Sequence, residues 1–172
     1  MPPWLTSPVL DRITALGIFE DAPHGINHCL VNEYLPGQGI MPHEDGAAYH
    51  PVVATVSLGG SLVLDITEKT NEDGNTASAT KSEPQRWRIL QEPRSLLLTT
   101  GSVYTDTLHG IADVKEDLNL GPETVANWSL LGKQEAFEAS GGRNARTDRV
   151  SLTYRDVKKV SNVASKLFGK TK

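Results

Sequence analysis

His43 and Asp45 close the run Asn32 to Asp45, which reads N-E-Y-L-P-G-Q-G-I-M-P-H-E-D. If this stretch is extended, side chains two apart leave the same face. His43 and Asp45 would then stand side by side, with Glu44 opposite. An imidazole and a carboxylate so placed are two of the three ligands in the 2-His-1-carboxylate arrangement. That arrangement holds non-haem Fe(II) and leaves positions open for substrate and oxygen. H-x-D by itself is not specific, because His and Asp fall two apart in many surface loops. A third ligand has to arrive from elsewhere in the chain.

His109 is placed to be that ligand. It follows the strand-like run V-Y-T-D-T-L, and Gly110 beside it permits close backbone approach. Further on, Arg149 and Arg155 are six apart in R-V-S-L-T-Y-R, an even separation that puts both on one face of a strand. At the usual rise their Cα atoms are roughly 20 Å apart, so two long side chains could bracket a small dicarboxylate. A guanidinium matches a carboxylate bidentately, which an ammonium cannot do. Taken alone, the same spacing also fits two exposed arginines on an edge strand, or Arg149 paired with Asp148.

Elements must position these groups. Thr6-Ser7-Pro8 reads as a cap with proline in the first turn, and Leu10, Ile13 and Leu16 at helical spacing predict a helix near 7–17 that stops at Gly17. Strands are predicted over 27–34, through the H-E-D, and over Val53 to Leu58 and Leu62 to Thr67. The last two, joined by Gly59-Gly60, read as an antiparallel hairpin. Residues 68–85 are polar and predict a loop. Trp87 to Leu90, Ser95 to Thr99, Val103 to Leu108 and Arg149 to Arg155 are strand-like, and 112–147 is a weakly patterned insertion. From Val157 a basic tail carries Val160, Ala164, Leu167 and Phe168 at helical spacing. Short strands between turns, with one leading helix and no βα repeat, predict a mainly β barrel or sandwich. One domain over 1–157 and a tail over 158–172 are expected.

Composition narrows the class. A chain of 172 residues with 38% hydrophobic and 22% charged residues is globular. No apolar run approaches the ~20 residues that cross a bilayer, and Met1-Pro2-Pro3-Trp4 lacks the features of a secretory signal. The single cysteine, Cys29, excludes an internal disulfide and reads as a small buried hydrophobe in a reducing compartment, cytosol or nucleus. The net charge of −4 is uneven: 8 Lys and Arg against 19 Asp and Glu up to Gly142, then 9 against 2 from Arg143. The acidic body would repel phosphate, and only the basic end could meet it. Trp87 and Trp128 read as packing residues. His24 and His28 are not expected to touch a metal, whereas His50 and Tyr49 could line a substrate mouth.

The order His43-x-Asp45, His109, Arg149, Arg155, preceded by Asn32-x-Tyr34, resembles the AlkB family of Fe(II)/2-oxoglutarate dioxygenases. Flanking text agrees: C-L-V-N-E-Y-L-P-G before the H-E-D, and R-V-S-L-T-Y-R near the end. Within the family, P-P-W-L, I-M-P-H-E-D-G, E-P-R-S-L-L and L-H-G-I-A are closest to the branch called AlkB homolog six. The resemblance covers about residues 2–157, with 68–85 and 112–147 unmatched in detail.

It implies a double-stranded β-helix, or jelly roll, with one Fe(II) on His43, Asp45 and His109. It implies 2-oxoglutarate held by the metal and both arginines, Arg149 at the far carboxylate and Arg155 nearer the metal, with Asn32 and Tyr34 turned toward the cosubstrate. Ser151 departs from the asparagine several relatives carry, and its shorter side chain reaches less far. The reaction implied consumes O2, yields succinate and CO2, and hydroxylates an N-methyl group that then leaves as formaldehyde, the metal and cosubstrate carrying the chemistry. A nucleobase in nucleic acid is the family's usual substrate; a methylated protein is the other expectation, with no membrane partner and a monomeric state. Relatives acting on nucleic acid carry an N-terminal lid and flip the base, and this chain begins where that branch is already well inside its fold, so the lid is expected to be missing. Two other readings remain open: a catalytically weak AlkB-like binding protein with a mainly structural metal, and a Zn-binding cupin-like barrel, which leaves the arginine pair unexplained.

Overall fold

A computed structural model describes residues 1–70 and 83–159. Two helices, α1 (Pro3–Thr6) and α2 (Val9–Thr14), precede the strands β1 (His28–Tyr34), β2 (Ile40–His43), β3 (Val52–Gly59), β4 (Leu62–Glu68), β5 (Arg86–Gln91) and β6 (Leu96–Thr100). Then come α3 (Gly101–Asp106), β7 (Thr107–Ile111), β8 (Glu116–Asp117), α4 (Gln134–Ala139), β9 (Asn144–Ala145) and β10 (Arg149–Arg155). Two four-stranded antiparallel sheets form, in the orders β1-β10-β3-β6 and β2-β7-β4-β5, with β8 and β9 as a separate pair. The fold is mainly β, as the residues predict, and it is the jelly roll that the family resemblance implies.

Alternation assigns each sheet an inner and an outer face. On β10, Arg149, Ser151, Thr153 and Arg155 line a cavity between the sheets. Leu152 and Tyr154 face the other way, into a core with Leu5, Ile13, Phe19 and Ala54. The N-terminal helices are thus the lid on that sheet's back, and the Tyr154 hydroxyl ties them down by donating to the Leu5 carbonyl at 2.8 Å. The second sheet repeats the scheme. Leu62, Leu64, Ile66 and Ile111 point inward, while Val63 and Leu90 pack outward against Leu120, Val125, Trp128 and Phe137. At about 1.5–3 kcal/mol for each large apolar side chain buried, the 112–147 segment is a cover for this face. Arg146 anchors it, donating to Asp117 through Nε (3.1 Å) and Nη2 (2.6 Å) while Nη1 reaches the Ala112 carbonyl at 2.7 Å.

Three expectations are corrected. The leading helix is two short ones, with Pro8 between them at the cap of α2 and no side-chain cap from Thr6 or Ser7. β3 and β4 are not a hairpin. β3 pairs with β10 and β6, β4 with β5 and β7, so Gly59-Gly60 carries the chain from one sheet to the other. Gly59 takes φ +76°, and a Cβ there would run into the Asp148 carbonyl. Alternation along each strand shows which face is buried, not which strand lies alongside. Finally, 101–106 is helical and the strand starts at Thr107, putting His109 inside β7 instead of after it. Gly101 at φ +56° opens this helix, which links the two sheets. Most of the predicted 68–85 loop and the helical spacing from Val160 fall outside the described residues.

Candidate metal and cosubstrate site

β2 and β7 pair so that His43 stands directly opposite His109, with a register shift between Ile40 and His43. The two rings lie 4.4 Å apart, tilted by 53°. Gly110 lets this happen: a Cβ there would come within 3.0 Å of the Pro42 nitrogen. His43 Nδ1 donates to the Met41 carbonyl at 2.9 Å, which leaves its Nε2 as the lone-pair nitrogen. Burial pushes the His109 imidazole below its usual range, with His43 and Arg155 adding to the effect and Asp45 opposing it. A neutral ring is the form that binds metal.

Asp45 comes from a different kind of place. β2 ends at His43, so Asp45 lies past the strand and does not share a strand face with His43 as extended spacing predicts. Its carboxylate nevertheless reaches the same cavity, Oδ2 lying 4.0 Å from His109 Nε2. Oδ1 abuts Arg155 Nη2 as a buried ion pair without hydrogen-bond alignment, so Asp45 Oδ1 and Arg155 Nε both lack a hydrogen-bond partner. Among the described residues no three His, Cys, Asp or Glu side chains are drawn tight enough to enclose an ion as they stand. The three groups are gathered but slack. Two imidazoles and one carboxylate, one of whose oxygens accepts no hydrogen bond, are a donor set that fits Fe(II).

At the other end of the cavity, about 100 Å³ in volume, lies Arg149. It is 2% exposed, and Nε donates to Ser57 Oγ at 2.8 Å and Nη2 to Gln91 Oε1 at 2.6 Å. Its guanidinium sits 5.6 Å from the Tyr34 ring centroid. Burial lowers its pKa to about 10, so it stays charged at neutral pH. It is neither on an edge strand nor paired with Asp148. Asn32 and Tyr34 line the same cavity and are joined by a 3.5 Å contact. Ser151 is buried opposite both Asn32 and Ser57.

Every site residue read from the sequence, His43, Asp45, His109, Asn32, Tyr34, Arg149 and Arg155, lines this one cavity. Of the flanking residues, Tyr49 meets the site, its ring 4.8 Å from the Arg155 guanidinium carbon. His50 is not among the lining residues. His28 packs near Tyr49 at 5.9 Å, and His24 instead faces Asp156. Trp128 is buried in the outer core and Trp87 packs against the inner one. Sequence reasoning missed Ser57 and Gln91, which carry no distinctive spacing. A lone polar residue facing inward between apolar neighbours on a strand was the available signal.

A β-helix holding two histidines, a carboxylate and buried arginines around one cavity defines a non-haem iron oxygenase framework. The chain belongs to the 2OG-Fe(II) oxygenase superfamily, whose family model matches residues 2–155. A protein described as "Probable RNA/DNA demethylase ALKBH6" from Danio rerio is 40% identical over 160 residues, covering 93% of this chain and 64% of that one. A Xenopus tropicalis protein described as "tRNA (carboxymethyluridine(34)-5-O)-methyltransferase alkbh8" is 27% identical over 136 residues, 78% of this chain and 19% of that one. The chain therefore spans less than two thirds of the length of these relatives. Among solved structures, "The structure of OsALKBH1" aligns with a TM-score of 0.48 and 20% identity over 91% of this chain and 64% of that one, a likeness too slight to carry an argument. The AlkB-type resemblance agrees with the two sequence matches, and the branch within it with the Danio rerio one.

Proposed function

We propose that the chain is an Fe(II)- and 2-oxoglutarate-dependent dioxygenase that demethylates an N-alkylated nucleobase. The observation that carries this reading is Arg149. Among the described residues its buried guanidinium is met only by neutral groups, Ser57, Gln91 and Tyr34. A buried charge without a counter-charge is costly, and a diacid entering the cavity would supply one. His43, Asp45 and His109 would hold the ion, Arg149 the far carboxylate and Arg155 the nearer end, with Asn32 and Tyr34 lining the way between.

Bound iron and cosubstrate supply the oxidation: 2-oxoglutarate and O2 give succinate and CO2, one oxygen atom entering succinate and the other the methyl C–H bond, and the hydroxymethyl group leaves as formaldehyde. The chain's residues orient and shield. The Met41 carbonyl sets the His43 tautomer. Arg149 fixes one end of the diacid, and Leu64, Ile66 and Ile111 exclude water from its flank. The name of the Danio rerio relative supports a nucleobase. The acidic body argues against a long phosphate track, which keeps a methylated protein side chain as the competing substrate.

The test measures succinate and formaldehyde with added Fe(II), using an N-methylated oligonucleotide and a methylated peptide, with His43→Ala as control. Product from the oligonucleotide that vanishes in His43→Ala is the expected result. Turnover indifferent to that change removes the reading. A second reading, a binding protein with a mainly structural metal, is favoured by one feature: Arg155 already engages the Asp45 carboxylate. Metal binding without any succinate would support it.

A further inference from the structure

Asp45 sits beyond the end of β2, so no strand ladder fixes it. Its two chain neighbours are fixed instead, and both to the same short helix. On one side, the Glu44 carboxylate pairs with Lys69, whose Nζ also donates to the Thr105 carbonyl at 2.6 Å. On the other, the Gly46 carbonyl accepts from the Tyr104 hydroxyl at 2.8 Å. Tyr104 and Thr105 both belong to α3. Lys69 is itself held to α3, its backbone N–H donating to the Asp106 carbonyl at 2.9 Å. The helix runs directly into β7, and Thr107 Oγ1 donates back to the Val103 carbonyl at 2.6 Å across the junction. α3 thus grips the segment on both sides of Asp45 and continues into the strand that carries His109.

We propose that Tyr104 and Lys69 are positioning residues that set the Asp45 carboxylate against His43 and His109 through α3. The inference rests on the metal reading of the site given above. Neither residue lines the cavity, so neither acts by touching cosubstrate. Metal ligands have to be held within about 0.2 Å of their bonding distances, and a carboxylate on an untethered loop would lose affinity to its own motion. Outer partners that orient a ligand typically contribute about 10–100-fold in metal affinity.

Mn(II), the probe, is titrated calorimetrically into the full chain. Tyr104→Phe removes the hydroxyl and keeps the ring; Lys69→Met keeps the length and removes the charge; Lys69→Arg restores it. His43→Ala is the ligand control. Tyr104→Phe and Lys69→Met are each expected to bind Mn(II) about tenfold more weakly while the metal-free proteins stay folded at the titration temperature. Lys69→Arg should recover most of the affinity. In succinate formation the loss should fall on the iron concentration for half-maximal turnover more than on the rate at saturation, which a general loosening of the fold would not produce. Wild-type binding that is lost in His43→Ala yet unchanged in both Tyr104→Phe and Lys69→Met overturns the positioning role alone. Absence of Mn(II) binding by the wild type overturns the metal reading and this inference with it. If Tyr104→Phe does not fold, Lys69→Met decides.

Discussion

Tyr34 and Arg149 face each other across the β1–β10 pair, and the guanidinium carbon lies 5.6 Å from the ring centroid. The ring presents its negative face to a cation that has no carboxylate partner among the described residues.

That arrangement predicts opposite effects on stability and on binding. Arg149→Met, without ligand, should unfold no lower than the wild type, because an uncompensated buried charge is replaced by apolar volume. The same change should weaken 2-oxoglutarate binding by at least about tenfold, in line with the ~1.5–3 kcal/mol of hydrogen bonds to charged groups. Arg149→Lys should not restore it, lacking the planar fork. Calorimetry and thermal melts with and without 2-oxoglutarate separate the two effects.

The two ligand types should also differ in the metal-free protein. Asp45→Ala leaves Arg155 buried without its partner, and breaking such a pair costs about 3–5 kcal/mol. His43→Ala removes a ring with one backbone hydrogen bond and costs less. Urea unfolding should rank Asp45→Ala well below His43→Ala, although on the proposed reading both changes should abolish metal binding. Equal midpoints would show that the Arg155–Asp45 pair contributes nothing.

Arg146 and Asp117, both side chains 3% exposed, test what pins the outer cover. Asn144 completes the cluster by donating from Nδ2 to Asp117 Oδ2 and the Ser61 carbonyl, each at 2.9 Å. Either Arg146→Ala or Asp117→Ala should cost about 3–5 kcal/mol, and the double change should cost clearly less than their sum. Additivity in a double-mutant cycle would refute the coupling.

Cys29 should be a slow thiol. Partial burial pushes its pKa up, against smaller opposing contributions from Tyr154, Thr153 and Arg155. Since the thiolate is the nucleophile, alkylation near pH 8 should run slower in the native protein than in urea. The native rate should keep climbing as pH passes the value where the unfolded thiol has levelled off. Equal native and denatured rates would contradict the burial.

The residues that gather at the cavity were legible as types, and only partly as spacings. Arg149 and Arg155 share a face because β10 is a true strand buried on both sides, whereas Asp45 reaches the cavity from beyond the end of β2 and not from the strand face its spacing to His43 suggested. What the chain did not disclose is pairing. Val53 to Leu58 and Leu62 to Thr67 look like the two arms of a hairpin, yet they pair with other strands and not with each other, since buried strands read alike whichever sheet they join. Val103 to Asp106 is rich in strand-favouring residues, but a link between two sheets imposes a helix there. The neutral partners of Arg149 were equally silent, because Ser57 and Gln91 acquire meaning only once β3 and β5 stand on either side of the cavity.

The pairing of β1 with β10 along their whole length, from His28 with Arg155 to Tyr34 with Arg149, governs how the polypeptide can be made. A nascent chain leaving the ribosome holds both flanks of this sheet, β1 and β3, long before the strand that belongs between them has been synthesised. Until Arg155 emerges, two unpaired strand edges are on offer to any passing segment. Closure waits for contacts separated by well over half of the chain, so folding should be slow and concerted. A translation stop just before Arg149 would then release a sticky product in which β1 has no partner and β3 only β6, although every strand of the second sheet has been made.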